Sequence, residues 1–245
     1  SISRTKIALA PIFIAGRTVD VLTGEAKRLL VWRGASGWRS RVVERRTIVD
    51  TSKIITLSNW DAPVSTNTTL HMVSFLSEFD AENAHRFPVV QSASSMGWQP
   101  DGGFLLPDMY YSSDSTESRD FALTPPSGLE TLSGGWKPKG TWDEWCGSMR
   151  LVEDFPYMFV AIYASAAAPL LEVLHTPGFV LDFSGETSGG KTTALRYAAS
   201  VWGRPAESYP TAMYSWDATK VWIERTSGFL KNLPLILDET KRARH

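Results

Sequence analysis

Cysteine is almost absent. The single thiol, Cys146, excludes an internal disulfide and a cysteine-rich zinc cage, and it points to a reducing interior. Histidine is scarce as well. The four histidines form no ligand spacing and no nucleophile–base pairing, so structural roles suit them and Cys146 better than catalysis. No charged-then-apolar leader opens the sequence, so secretion is not expected and a cytoplasmic protein is. Long apolar runs are also missing. The uncharged stretch Phe155 to Leu171 falls short of the ~20 residues of a spanning helix. It contains Pro156, Pro169, Ser165 and two tyrosines, reads as a buried helix, and gives no reason to expect a membrane partner.

Net charge is lacking too: 25 Lys/Arg stand against 26 Asp/Glu in 245 residues. The balance is uneven. Residues 1–50 hold ten Lys/Arg and four Asp/Glu, an excess that faces either a polyanion or solvent. What is present otherwise, 43% hydrophobic and 21% charged residues, is the composition of an ordinary globular protein of one large or two modest domains.

The first half reads as strand-rich. Lys6 to Ile14, Arg28 to Arg33 and Trp38 to Arg46 have strand character, with Gly34-Ala35-Ser36-Gly37 as a turn. Arginines interleaved with Trp32 and Trp38 suit contact with a nucleic-acid strand, and equally suit tryptophans packed in a core. Met72, Phe75, Leu76 and Phe79 fall on one face of a helix within Asn67 to Phe87, with Thr66 or Asn67 as cap. Short strands return at Gly97-Trp98 and Phe104-Leu105-Leu106-Pro107, and Tyr110 to Gly135 reads as a long loop. Two helices follow, one capped at Gly140-Thr141 and one through the uncharged run. No internal repeat is evident. The expected division is a strand-rich domain over 1–138, a helical connector over 139–176 and a nucleotide module over 177–245.

That module rests on Gly185-Glu186-Thr187-Ser188-Gly189-Gly190-Lys191-Thr192, which fits G-x-x-x-x-G-K-[ST], the phosphate-cradling P-loop. Such a pattern arises by accident in roughly one chain in a hundred of this length, so its context decides. Phe179 to Phe183 reads as a buried parallel strand before the loop. Leu195, Ala198, Ala199 and Trp202 mark one face of a helix after it, with Gly203 and Pro205 as its stop. The glycines let backbone N–H groups turn inward, and the helix start adds positive partial charge. Lys191 reaches the outer phosphates, Thr192 places a hydroxyl on Mg²⁺, and Thr193 is a weaker phosphate contact.

A second apolar strand, Leu233 to Leu237, ends in Asp238-Glu239, 47 residues beyond Lys191. Behind a P-loop this reads as a Walker B element, with Asp238 holding Mg²⁺ through water and Glu239 orienting the attacking water. The pair favours ATP hydrolysis over GTP, and no Asn-Lys-x-Asp motif is visible. Asp217 or Ser215 reads as the cap of a helix through Val221, Trp222 and Arg225.

The segment Gly185 to Leu195, with Ala199-Ser200-Val201-Trp202-Gly203, resembles the family known as domain of unknown function 927. Trp216-x-x-Thr219, Leu237-Asp238-Glu239, Gly97-Trp98 and Phe104-Leu105-Leu106-Pro107 share the likeness. The resemblance implies a helicase-like ATPase of phages and mobile elements, related to hexameric replicative helicases of the AAA+ class. It makes Lys191, Thr192, Asp238 and Glu239 the principal residues, ATP and Mg²⁺ the cofactors, and single-stranded DNA and a homo-oligomeric ring the partners. A complete module of that class has further strands, a polar sensor and an arginine directed at a neighbouring site. The sequence stops at Lys241-Arg242-Ala243-Arg244-His245. The expected fold is therefore mixed α/β, with the start of a P-loop sandwich cut short and nucleotide binding weakened by exposed sheet edges. The alternatives are a P-loop motor for DNA packaging, and a DNA-binding or assembly module with a vestigial ATPase half.

Overall fold

The alternation of apolar and polar residues from Ile12 onward builds a sheet, and the sheet builds the first half of the chain. The structure is a computed structural model that describes residues 6–114, 120–185 and 189–238. Packing divides the chain into two compact units, residues 1–92 with 120–122, and residues 93–119 with 123–245. Residues 93–119 thus pack with the second unit, although their composition groups them with the strand-rich first half.

In the first unit, β1 (Ile12–Asp20) pairs antiparallel with β2 (Ala26–Gly34), which pairs antiparallel with the edge strand β3 (Gly37–Glu44). The expected turn closes the hairpin where Gly34 faces Gly37. The first strand begins later than the apolar run at Lys6 indicates. Strand pairing, rather than apolarity, sets its limits.

Three helices follow: α1 (Arg45–Val49), α2 (Thr51–Ile54) and, after a 3-10 turn at Ile55–Trp60, α3 (Thr69–Asn83). The first two occupy a segment whose arginines appear to continue β3 in the sequence. Asp50 breaks it there, accepting from the Ser52 N–H at 2.8 Å and capping α2. β4 (Val89–Ala93) then returns parallel to β1. One face of β1–β3 contributes Ile12, Ile14, Leu30, Trp32 and Val43 to a core with Ile48, Ile54, Leu57, Met72 and Leu76 from the helices.

Asp80 lies buried in this unit and receives the Arg28 guanidinium, with Nη2 3.0 Å from Oδ2, and Arg45 at 3.2 Å. Burial alone pushes its carboxyl pKa up. The two arginines more than offset that and hold it below the ordinary carboxylate value.

The second unit contains a three-stranded antiparallel meander, β5 (Gly97–Trp98), β6 (Phe104–Leu106) and β7 (Met109–Tyr111). The stretch expected to be a loop holds β8 (Phe121–Leu123), which joins the five-stranded sheet beside β4, and a 3-10 turn at Leu132–Gly135. α4 (Trp142–Arg150) opens on a capping box: Thr141 accepts from the Glu144 N–H, and Glu144 accepts from the Thr141 N–H at 2.8 Å.

α5 (Pro156–Val173) fills the uncharged run. Among the described residues it is the one helix long and apolar enough to cross a membrane. Met158, Ala161, Ile162, Ser165 and Pro169 are its buried residues. α6 (Lys191–Ser200), β9 (Tyr214–Ser215), α7 (Lys220–Leu230) and β10 (Leu237–Asp238) complete the unit. The cap of α7 is Thr219, whose hydroxyl accepts from the Trp222 N–H; Ser215 instead accepts from the Asp217 N–H.

Phe179 to Phe183 is the clear departure from expectation. It forms no strand, and Val180 is 91% exposed. An apolar run becomes a buried strand only beside a sheet that covers both its faces, and no described strand pairs with this one.

Candidate functional site

The glycine-rich segment feeds the start of α6. Gly185 (φ 140°) and Gly190 (φ 77°) both have left-handed backbone that a side chain resists. Gly190 is the N-cap of α6, and no side chain caps the helix there. The first-turn N–H groups of Lys191, Thr192 and Thr193 therefore lack the partner that a capping side chain supplies elsewhere in this chain. A Cβ on Gly190 would lie 2.7 Å from the Tyr157 hydroxyl oxygen, so the helix start is too close to α5 for any larger residue.

Lys191 turns back over the loop, and its ammonium donates to the Gly185 carbonyl at 3.1 Å. Thr192 is half-buried and Thr193 exposed in the same turn. Glu186, Thr187 and Ser188, expected to line the loop, lie outside the described residues, as does Glu239.

The helix behind the loop is fixed by small residues. Ala194, Ala198 and Ala199 are buried, which lets α6 approach α5 closely. The Ser165 hydroxyl donates to the Ala198 carbonyl at 2.7 Å. Trp145 donates its indole N–H to the Ser200 hydroxyl at 3.0 Å, and the Tyr197 hydroxyl donates to the Ser148 carbonyl at 3.1 Å. Just beyond the helix, Gly203 is required by contact: a Cβ there would lie 2.1 Å from the Gly135 carbonyl oxygen.

α6 also packs against β10, whose last residue is Asp238. β10 runs parallel to β9, with Leu237 beside Tyr214 and Asp238 beside Ser215, and the Trp216 N–H donates to the Asp238 carbonyl at 3.0 Å. The glycine loop and the Asp238 strand, far apart in sequence, thus converge on one helix. Tyr214 anchors this corner. Burial pushes its phenol up to about 12, while Trp136 donates its indole N–H to the phenolic oxygen at 2.9 Å.

One contributor escaped the sequence reading. Tyr157 donates its hydroxyl to the Gly189 carbonyl at 3.4 Å and stands over Gly190. Nothing in the pattern around Phe155-Pro156 announces that contact. No group of three or more His, Cys, Asp or Glu converges as a metal site among the described residues.

The fold has a solved counterpart. A structure described as "SCCmec type IV Cch - active helicase" superposes with a TM-score of 0.72 at 22% identity, over 99% of this chain and 46% of that one. The chain therefore spans about half the length of that neighbour. No curated protein matches it. The sequence profile of the family described as Domain of unknown function (DUF927) matches residues 3–245, and the chain belongs to that family.

Proposed function

We propose that this chain carries the phosphate-binding part of an ATP-driven DNA helicase or translocase that serves a phage or other mobile element. The observation that supports the reading best is the helix start at Gly190. A left-handed glycine, an uncapped first turn and the ammonium of Lys191 bent toward the Gly185 carbonyl together suit a phosphate anion. A phosphate offers Lys191 a stronger, charge-assisted partner than a neutral carbonyl. The neighbour described as an active helicase supports the same class.

In this reading the loop residues Gly185 to Gly190 and the N–H groups of Lys191, Thr192 and Thr193 hold the phosphates of ATP. Thr192 and Asp238 hold Mg²⁺, a hard cation content with a hydroxyl, a carboxylate, water and phosphate oxygens. Bound there, Mg²⁺ would neutralise phosphate charge and favour cleavage of the terminal phosphate. Glu239 orients the attacking water. The full protein works as a ring, probably not of one copy but of six by the family likeness, with single-stranded DNA as its track.

The test is ATP turnover by the full chain and by a longer form of the protein, with and without single-stranded DNA. Stimulation by DNA is expected, as is loss of at least a hundred-fold, on the order of 10²–10³, in Lys191→Ala. Turnover that persists in Lys191→Ala and in Glu239→Gln would refute the assignment. DNA-independent turnover would point to a motor of another kind.

A further inference from the structure

The helices of the first unit cover one face of its sheet and leave the other face open at the β2–β3 hairpin. On that open face Trp38 is 56% exposed and meets the Phe13 ring edge-on, with centroids 6.0 Å apart. Arg33 stands directly opposite Trp38 across the hairpin, is exposed, and makes no ion pair among the described residues. A tryptophan kept in solvent beside an arginine is not core packing; it is a surface with a stacking face and a charge.

The edge continues this chemistry. β3 is the last strand of its sheet, and Arg39 and Arg41 alternate with Trp38 and Ser40 along it. The Arg41 guanidinium lies over the Trp60 ring, 3.7 Å from its centroid, and Trp60 is itself 37% exposed. Stacking of this kind holds a guanidinium flat and leaves its edge to meet an anion. Arg39 donates to Ser36 at 3.0 Å and lies 3.9 Å from Asp61, the nearest acid.

From Lys27 to Arg46 there are seven Lys/Arg and one Asp/Glu. Arg28 and Arg45 are committed to Asp80, and Arg46 pairs with Glu44. The rest leave the hairpin positive. A polyanion satisfies the charge, and one with flat apolar rings satisfies the tryptophan. Single-stranded nucleic acid has both.

We infer that the β2–β3 hairpin binds a single nucleic-acid strand, with Trp38 stacking a base and Arg33, Arg39 and Arg41 meeting its phosphates. The inference rests on the reading of the protein as a DNA-directed motor and adds the surface that meets the strand. It is tested by fluorescence anisotropy of a labelled oligothymidine of about 15 nucleotides, titrated with nucleotide-free full chain at several salt concentrations. Trp38→Ala weakens binding by about ten-fold, and Trp38→Phe recovers most of the loss because a ring still stacks. Arg33→Ala lowers the salt slope by about 0.7, the share of one phosphate contact on a single strand. Trp142→Ala, a similarly exposed tryptophan in the second unit, changes nothing.

Binding that is indifferent to Trp38→Ala and Arg33→Ala overturns the inference. So does Trp38-dependent binding of polyglutamate in place of the oligonucleotide, which would make the hairpin a dock for an acidic protein. ATP affinity measured on the same samples keeps the two readings apart. A chain that fails to bind ATP yet binds oligonucleotide through Trp38 refutes the motor and leaves the surface standing.

Discussion

Trp202 donates its indole N–H to the carbonyl of Ser165 at 3.1 Å, and that carbonyl is open because the residue one turn later is Pro169. A proline has no N–H to return to the carbonyl four residues before it, so the interior of α5 is left with an acceptor to satisfy. The residue after α6 supplies the donor. Trp202→Phe should destabilise the protein by about 1–2 kcal/mol. In Pro169→Ala the helix regains its own donor, so the added cost of Trp202→Phe should shrink. A double-mutant cycle by urea denaturation reads this as a coupling of about 1 kcal/mol, and independent effects would show that the two residues do not share the carbonyl.

Gly190→Ala should fail twice, once through its left-handed backbone and once through the Tyr157 hydroxyl 2.7 Å from the new Cβ. A loss of about 1–2 kcal/mol is expected from the backbone alone. Adding Tyr157→Phe removes the hydroxyl and should recover only the steric part. Thermal unfolding of both variants, with a nucleotide titration alongside, separates strain from contact.

Gly203→Ala should be far more damaging, by about 3 kcal/mol or more, because the atom it meets is the Gly135 backbone oxygen rather than a movable side chain. Gly228, inside α7, offers the contrast: nothing lies near its would-be Cβ. Gly228→Ala should stabilise by up to about 1 kcal/mol through helix propensity. Melting temperatures that move in opposite directions verify the pair.

Asp80 sets an acid limit. Its folded pKa lies below the unfolded value, so its contribution is fully present above about pH 4 and is lost as pH falls through the lowered folded value. Arg28 is buried with it, whereas Arg45 is largely exposed and adds less. Asp80→Asn should cost about 3 kcal/mol near neutral pH. Denaturant midpoints should then show the variant and parent converging as the pH is lowered below 4.

Much of this was legible in advance where local pattern and packing agree. The Gly34–Gly37 turn, the apolar stripe of α3 and the alanine face of α6 are periodicities that survive folding intact. Thr141 with Glu144 is a cap that its spacing announces. The misreadings share one cause, which is that apolarity reports a wish for burial and not the partner that grants it. Phe179 to Leu181 is as apolar as any strand, yet it stands exposed. Arg45 to Trp60 looks like an extension of β3 until Asp50 caps a helix. The parallel return of β4 beside β1, and the reach of Tyr157 to Gly189, depend on residues distant in sequence and leave no local trace.

α5 touches α6 at two points more than two turns apart: Tyr157 at the glycine loop and Ser165 at the carbonyl of Ala198. The first contact is long and made by a flexible ring; the second is short, buried and reinforced by Trp202. The arrangement is a lever with its pivot at Ser165. A tilt of α5 about that pivot leaves the far end of α6 in place and moves the tyrosine across the loop. The shape of the loop and the attitude of α5 are thus a single mechanical variable, set at one end and read at the other.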